Sequence, residues 1–145
     1  MKKVAIIPIA LGSTRVKNKN LLLVDGEPLL FYVLRAINES KAFDEVYVDS
    51  EHEEFRWMAE KFGVKFRRRD PEMGGSTCKY AGGKRSQTHD HYLTGFMQAV
   101  ETDYVVQIHT TSPLIKPEFS KIFSKINSPQ FPWALESPFK AFVKL

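Results

Sequence analysis

Apolar and polar positions alternate along the chain with two rhythms, one typical of buried strands and one of helices. Residues 4–7 form a continuous apolar run, which predicts a strand buried on both faces. Pro28 then precedes apolar residues at helical spacing, so a helix is predicted with the proline at its start. Residues 45–48 predict a second strand, and residues 52–62 predict a helix that ends at Gly63.

The second half of the chain continues this alternation after one break. Residues 64–66 predict a brief third strand, whereas residues 67–85 lose periodicity and carry two glycine pairs. Loops of that length in compact domains are usually functional or mobile. Four further elements are predicted: a helix near Thr88, a strand over 103–108, a helix from Pro117 and a strand over 131–135. Trp57 and Phe62, at helical spacing, are expected in the core.

Alternating strands and helices predict an α/β domain with a mostly parallel sheet and right-handed crossovers. In such sheets ligands bind beyond the carboxyl ends of the strands. Three loops therefore become candidates for function: those after Ile9, Phe66 and Ile108.

Length and composition describe an ordinary globular chain. Its 145 residues, 43% hydrophobic and 26% charged, predict a single domain over 1–145. No apolar run reaches the roughly 20 residues that would span a bilayer. The apolar run after the two N-terminal lysines stops at Pro8, which favours a strand over a signal peptide. Cys78, the single cysteine, fits a reducing compartment, so a cytoplasmic location is expected.

The net charge of +4 predicts an anionic partner, for which nucleotides and nucleic acid both qualify. Basic residues concentrate in three separate segments, 15–19, 67–69 and 79–85. Separate basic loops favour a phosphate pocket over a continuous nucleic-acid surface, and only one aromatic residue, Tyr80, lies among them. No nucleic acid and no membrane are expected as partners.

The first candidate loop has the chemistry of a phosphate site. Gly12, Ser13 and Thr14 let the backbone approach a ligand, and Arg15, Lys17 and Lys19 supply positive charge. Phosphoryl transfer depends mostly on positioning and charge neutralisation, so this loop suits a triphosphate. It matches neither the P-loop nor the dinucleotide-binding glycine pattern. Spacing alone leaves a solvated basic turn as an equal alternative.

Five segments in chain order carry a resemblance to a known family. The first segment is the first strand, followed by Gly-Ser-x-Arg-Val-x-x-Lys-Asn-Leu and residues 26–29. The next three are residues 43–51, 62–64 and 69–77. The fifth is residues 109–114, which are similar to the family signature Gln-Pro-Thr-Ser-Pro-Leu. Together they resemble the cytidylyltransferases that make CMP-activated acidic sugars, of which the N-acylneuraminate cytidylyltransferases are best known. The resemblance covers essentially the whole chain.

The resemblance implies a fold, a reaction and a set of site residues. The fold is a Rossmann-like three-layer α/β/α sandwich of the nucleotide-diphospho-sugar transferase type. The reaction transfers CMP from CTP to an acidic sugar such as an N-acylneuraminate and releases pyrophosphate. Arg15 and Lys19 would be catalytic. The nucleotide would be bound by Gly12, Ser13, Arg15, Lys19, Asn20, Arg69, His109, Thr111 and Ser112.

Departures from the family pattern weaken that expectation at particular positions. Ala10 and Thr14 stand where the family usually carries basic residues, and Ser76 stands where it carries aspartate. His109 replaces a glutamine that contacts the base, and one ring nitrogen cannot mimic an amide's donor and acceptor pair. The resemblance therefore implies the class of reaction and leaves the choice of base open.

Length is the largest departure. Family members are about half as long again, and the resemblance implies that the carboxylates holding Mg²⁺, the only cofactor expected, lie in the additional part. A C-terminally truncated enzyme is therefore expected, with a degenerate nucleotide-binding domain without turnover as the alternative. The resemblance also implies a homodimer, although the family's dimerisation arm lies in the additional part.

Other reactive residues have simpler interpretations. His89 and His91 at a helix start favour a surface role, with Thr88 as the N-cap, over a metal site. Cys78 has no base near it in sequence and is interpreted as an incidental thiol. Asp49 and Glu51 are expected to cap the following helix rather than act in acid–base chemistry.

Overall fold

The computed structural model describes residues 2–11, 16–69, 93, 95–111, 114, 116–120 and 142–144. The strands are β1 (Lys3–Pro8), β2 (Leu23–Val24), β3 (Glu27–Pro28), β4 (Glu45–Ser50), β5 (Lys65–Arg68), β6 (Tyr104–Gln107) and β7 (Phe142–Lys144). The helices are α1 (Leu29–Ser40), α2 (Arg56–Lys61) and α3 (95–99), with 3₁₀ turns at Lys19–Leu21, Glu53–Phe55 and Pro117–Ser120.

The main sheet has five parallel strands in the order β5-β4-β1-β6-β7. The chain runs outward from β1 to β4 and β5 on one side, then returns to place β6 and β7 on the other. The strand order therefore reverses between the neighbouring strands β1 and β6. In open parallel sheets this reversal creates the crevice in which ligands bind.

Apolar residues cover both faces of the sheet, which makes three layers. On one face, α1 and α2 place Leu34 and Met58 in a core with Ile7 of β1. On the other face, α3 places Phe96 in a smaller cluster with Ile6. Residues 4–7 of β1 are apolar and buried because both faces of the strand are covered, as the prediction of a two-sided buried strand required. The predicted α/β/α fold is confirmed.

Helix ends follow local sequence signals. Pro28 has extended backbone angles at the start of α1, and Lys41 ends this helix in the left-handed region with φ 49°. Gly63 follows α2 with φ 67°, a conformation that glycine adopts without strain, so it ends the helical segment as predicted. The predicted helix over 52–62 is wrong at its start, since the 3₁₀ turn Glu53–Phe55 precedes α2.

One core prediction is wrong in part. The Trp57 side chain is 52% exposed, although its ring contacts Phe31 edge-on with centroids 5.9 Å apart. Phe62 packs against the core as expected, with its ring 4.9 Å from that of Phe31. The short α2 buries only one narrow face, and Met58 and Ala59 occupy it.

The remaining expectations divide into confirmed elements, missed elements and elements outside the described residues. The strands predicted over 45–48, 64–66 and 103–108 are present as β4, β5 and β6. The hairpin of β2 and β3 and the strand β7 were not predicted. Residues 131–135, Thr88, His89, His91 and Cys78 lie outside the described residues. Among the described residues, every helix is too short or too polar to span a lipid bilayer.

Candidate functional site

Three loops meet beyond the carboxyl ends of the parallel strands. Ala10 follows β1, Arg69 follows β5 and Thr110 follows β6. Asn20 and Arg69 donate to the backbone carbonyls of Ala10 and Ile9. The Thr110 hydroxyl of the third loop donates to the side chain of Asn20. The three loops singled out from the sequence pattern thus share one edge of the sheet.

Asn20 lies between the loops that follow β1 and β6. Its side-chain Nδ2 donates to the carbonyl oxygen of Ala10 at 2.8 Å, and its Oδ1 accepts from the Thr110 hydroxyl at 2.6 Å. Both side chains are buried, Asn20 with 3% exposure and Thr110 with 4%. Both ends of the Asn20 amide are therefore engaged within the protein.

Lys19 belongs to a tight turn that Asn20 anchors. The amide of Lys19 donates to the carbonyl of Val16 at 3.3 Å, and the amide of Leu21 donates to that of Asn18 at 2.9 Å. Asn18 has a left-handed backbone with φ 52°. Lys19 is half-buried, whereas Lys17 two positions earlier is exposed. The turn therefore sets Lys19 apart from the other basic residue described in this loop.

Arg69 occupies a buried cluster of opposite charges. Its guanidinium contacts the Glu51 carboxylate, and its Nη2 donates to the carbonyl of Ile9 at 3.2 Å. Its Nη1 lies 3.4 Å from Asp49 Oδ2. The side chain is 4% exposed. Arg69 thus holds the backbone position immediately before Ala10, and its described contacts are with protein groups.

Asp49 and Glu51 act as partners of arginines rather than as helix caps. Asp49 Oδ1 accepts from Arg67 Nη1 at 2.8 Å, and Glu51 pairs with Arg69. His52, the residue before the 3₁₀ turn, makes no side-chain cap hydrogen bond. The capping expectation is therefore wrong, because β5 lies parallel to β4 and brings two arginines beside the two carboxylates.

The other predicted site residues fall in two groups. His109 is half-buried and Thr111 is exposed, both in the loop after β6 that also carries Thr110. Gly12, Ser13, Arg15 and Ser112 lie outside the described residues, as do Thr14 and Ser76. The structure thus brings Lys19, Asn20, Arg69, His109 and Thr111 to the carboxyl edge of the sheet.

The sequence analysis did not predict that three residues make contacts within this edge: Thr110, Asp49 and Glu51. A signal for the two carboxylates was present. Asp49 and Arg67 are 18 residues apart, as are Glu51 and Arg69, and the strand register pairs Asp49 with Arg67. Opposite charges repeated at one offset between adjacent parallel strands predict cross-strand pairs. Thr110 carried no comparable signal.

The chain matches the family model described as cytidylyltransferase over residues 4–132. The chain belongs to the cytidylyltransferase family. The matched span includes every described residue of the candidate site. The resemblance inferred from the five segments is therefore confirmed.

Several curated cytidylyltransferases are similar to this chain. N-acylneuraminate cytidylyltransferase of Oncorhynchus mykiss is 29% identical over 84% of this chain and 29% of the relative. The enzyme of the same name from Streptococcus agalactiae serotype V is 33% identical over 80% of this chain and 27% of the relative. The 3-deoxy-manno-octulosonate cytidylyltransferase of Bdellovibrio bacteriovorus is 30% identical over 81% of this chain and 42% of the relative. The chain spans less than half the length of these relatives.

A solved structure supports the same fold. CMP:2-keto-3-deoxy-manno-octonic acid synthetase complexed with CTP superposes with a TM-score of 0.68 and 21% identity. The match covers 90% of this chain and 49% of that one. At this identity the likeness establishes the cytidylyltransferase fold alone.

The carboxylates of the site do not form a metal centre by themselves. No group of three metal-ligating side chains occurs among the residues that the structure describes. The buried carboxylates Asp49 and Glu51 are paired with Arg67 and Arg69. Asp49 and Glu51 therefore do not fit the Mg²⁺ that the family resemblance implies.

Proposed function

We propose that the chain carries the nucleotide-binding half of an enzyme that transfers CMP from CTP to an acidic sugar. A hydroxyl oxygen of the sugar attacks the α-phosphorus of CTP and forms the new P–O bond. The bond from the α-phosphorus to the bridging oxygen breaks, and pyrophosphate leaves with that electron pair. The hydroxyl proton passes to solvent or to a base.

The observation that carries the proposal is the meeting of the β1 and β6 loops through Asn20. This meeting lies where the strand order reverses, and nucleotides bind at such reversals in parallel sheets. Membership of the cytidylyltransferase family and the CTP held by the structural neighbour support CTP as the nucleotide.

Lys19 is the described cation best placed for the triphosphate. It lies in the ordered turn beside Asn20, and a lysine ammonium stabilises negative charge that develops on phosphate oxygens during transfer. Arg15, outside the described residues, is proposed to act with it. Arg69 is committed to Glu51 and the Ile9 carbonyl, so its proposed contribution is to hold the loop that borders the nucleotide.

The sugar is proposed as an acidic one without further distinction. The relatives named above act on N-acylneuraminate or 3-deoxy-manno-octulosonate, at similar identity to this chain. N-acylneuraminate is the first sugar to test, because it is the substrate named for several of these relatives.

One observation favours a second candidate, a nucleotide-binding domain without turnover. Ala10 stands at the end of β1 where the family usually carries a basic residue, and it offers the described site only its backbone carbonyl. A missing cation weakens charge stabilisation in the transition state more than it weakens binding of the ground state. This candidate predicts nucleotide binding with no CMP-sugar formation.

Calorimetric titration with CTP, UTP, ATP and GTP, each with and without Mg²⁺, tests binding first. We expect CTP to bind most tightly. An assay for pyrophosphate release with CTP and N-acylneuraminate then separates the enzyme from the binding domain. Failure to bind any of the four nucleotides would overturn both candidates.

Lys19→Ala is expected to weaken CTP binding about tenfold or more, because a charge-assisted contact to phosphate is lost. Lys17→Ala is the matched control, since Lys17 is exposed in the same loop. Equal losses in the two variants would show that the loop acts through general positive charge, and the role proposed for Lys19 would be wrong.

A further inference from the structure

Thr110 makes a buried hydrogen bond that connects two separate loops of the site. Its hydroxyl donates to Asn20 Oδ1 at 2.6 Å across 90 residues of sequence. Both side chains are almost fully buried, with 4% and 3% exposure. The signature Gln-Pro-Thr-Ser-Pro-Leu has proline at this position, and proline has no hydroxyl to donate.

The Ala10 carbonyl fixes which way the Asn20 amide faces. A carbonyl can only accept, so the Asn20 atom that contacts it must be the NH₂ group, and 2.8 Å separates Nδ2 from that oxygen. Oδ1 then faces Thr110, where a donor is required. Valine at position 110 would leave this buried oxygen without that donor, which is costly because the Asn20 side chain is almost fully buried.

Asn20 positions the 3₁₀ turn that carries Lys19. The two residues are adjacent in the 3₁₀ turn Lys19–Leu21, and the amide of Leu22 donates to the carbonyl of Lys19 at 3.3 Å. The turn also begins from Asn18 in a left-handed conformation, which asparagine tolerates better than most residues. A short turn with few hydrogen bonds of its own depends on such an external anchor.

We propose that Thr110 is a positioning residue that holds Lys19 in place through Asn20. The inference deepens the proposed function, on which its consequence for CTP rests. The hydroxyl of Thr110 makes no contact with reacting atoms in this scheme. The hydroxyl fixes the orientation of the Asn20 side-chain amide. The Asn20 amide holds the 3₁₀ turn against the Ala10 carbonyl that follows β1, and this turn positions Lys19.

The test compares Thr110→Val with Thr110→Ser, which keeps the hydroxyl, and with Thr102→Val as the matched control. The Thr102 hydroxyl lies at the amino ends of the strands, where its one proton is shared between the backbone carbonyls of Tyr104 at 2.9 Å and Lys2 at 3.1 Å. Backbone amide exchange of the free protein is measured by NMR, and CTP affinity by calorimetry. Should Thr110→Val not fold, Thr110→Ala replaces it.

In Thr110→Val, the amides of Leu21 and Leu22 are expected to exchange about three- to tenfold faster. The amide of Ile9, which donates to the Asp49 carbonyl at 3.0 Å, serves as the internal reference and should not change. CTP affinity is expected to fall by a similar factor. Thr110→Ser and Thr102→Val should retain both the wild-type exchange of the turn and the wild-type affinity.

Two results would overturn the inference: unchanged exchange of Leu21 and Leu22 in Thr110→Val, or faster exchange with unchanged CTP affinity. A wild-type chain that binds no nucleotide would refute the proposed function instead. In that case the exchange rates alone decide whether Thr110 orders the turn, so the two failures are distinguishable.

Discussion

Consecutive arginines at the end of β5 occupy very different surroundings. The side chain of Arg68 is 62% exposed and lies 3.4 Å from Glu53, whereas that of Arg69 is 4% exposed among two carboxylates and a carbonyl. Exposed ion pairs contribute little to stability because solvent screens them. A buried charge that loses its partner is costly because water cannot replace that partner.

Arg69→Ala is therefore expected to lower the free energy of unfolding by about 3–5 kcal/mol, since it leaves Glu51 and Asp49 without their shared guanidinium. Arg68→Ala, the matched control one residue earlier, is expected to change it by less than about 1 kcal/mol. Urea unfolding measures both. Similar losses in the two variants would contradict the assigned difference in their roles.

At the scale of elements, the ends of strands and helices are fixed by single residues. Gly63 ends the α2 segment with φ 67°, and a Cβ built at this position meets no atom within 4 Å. Its requirement for glycine is therefore one of backbone conformation and not of space. Glu45 plays a different part at the start of β4, where it pairs with Lys65 of β5 and with Lys2, the residue before β1.

Gly63→Ala is expected to lower the free energy of unfolding by about 1–2 kcal/mol, because a residue with a Cβ is disfavoured in the left-handed region. Glu60→Ala, at an exposed position of α2, is expected to change it by less than about 0.5 kcal/mol. Thermal and urea unfolding check both values. An unchanged free energy of unfolding in Gly63→Ala would show that the backbone after α2 can adopt another conformation without cost.

Glu45 gives the sheet a dependence on acid. The Lys65 ammonium at 2.9 Å, the Tyr47 hydroxyl at 2.7 Å and the Lys2 ammonium at 3.2 Å lower the pKa of Glu45 to about 2. Its stabilisation is thus complete above the ordinary pKa of about 4.5 and is lost as the pH falls toward 2. Between pH 4.5 and pH 2, the free energy of unfolding should therefore fall more in the wild type than in Glu45→Gln. The difference should be less than about 1 kcal/mol, because the Glu45 side chain is partly exposed and solvent screens its ion pairs.

The element pattern was predictable where apolar residues had a clear period. The run in β1 and the helical stripe in α1 each fit only one kind of element, and both predictions are confirmed. The hairpin of β2 and β3 escaped prediction because each strand has two residues, too few to show alternation. Trp57 was placed in the core because periodicity does not reveal how narrow the covered face of a short helix is.

The sequence predicted which loops lie together at the site, but it did not predict which side chains contact each other there. Parallel strands bring their carboxyl ends to one edge, so the three loops followed from the fold class alone. The engagement of Arg69 with Glu51, and of Asn20 with Thr110, depends on partners 18 and 90 residues away. Family resemblance identified Asn20 and Arg69, while their protein partners emerged only from the structure.

At the scale of the whole molecule, β1 is the central strand of the five-stranded sheet. It pairs with β4 and β6 and contributes to both apolar clusters, and its last carbonyls lead into the candidate site. Ligand binding at this edge is therefore coupled to the stability of the whole sheet. A ligand that binds only the folded chain raises the free energy of unfolding by mass action.

CTP at about 100 times its Kd is expected to stabilise the chain by about 2.7 kcal/mol. Thermal unfolding with increasing CTP measures the shift, and GTP at equal concentration is the control for general anion effects. Equal shifts with both nucleotides would indicate that the site recognises the triphosphate and not the base.

The outer strand β5 has a consequence for the behaviour of the protein at high concentration. It lies at one edge of the described sheet, and its four residues Lys-Phe-Arg-Arg include three cations. An edge strand offers unpaired backbone groups to other molecules, and lysines or arginines along it oppose edge-to-edge association by charge repulsion. Neutral substitutions at Lys65 and Arg68 should therefore favour aggregation even where the fold and the nucleotide affinity are unchanged.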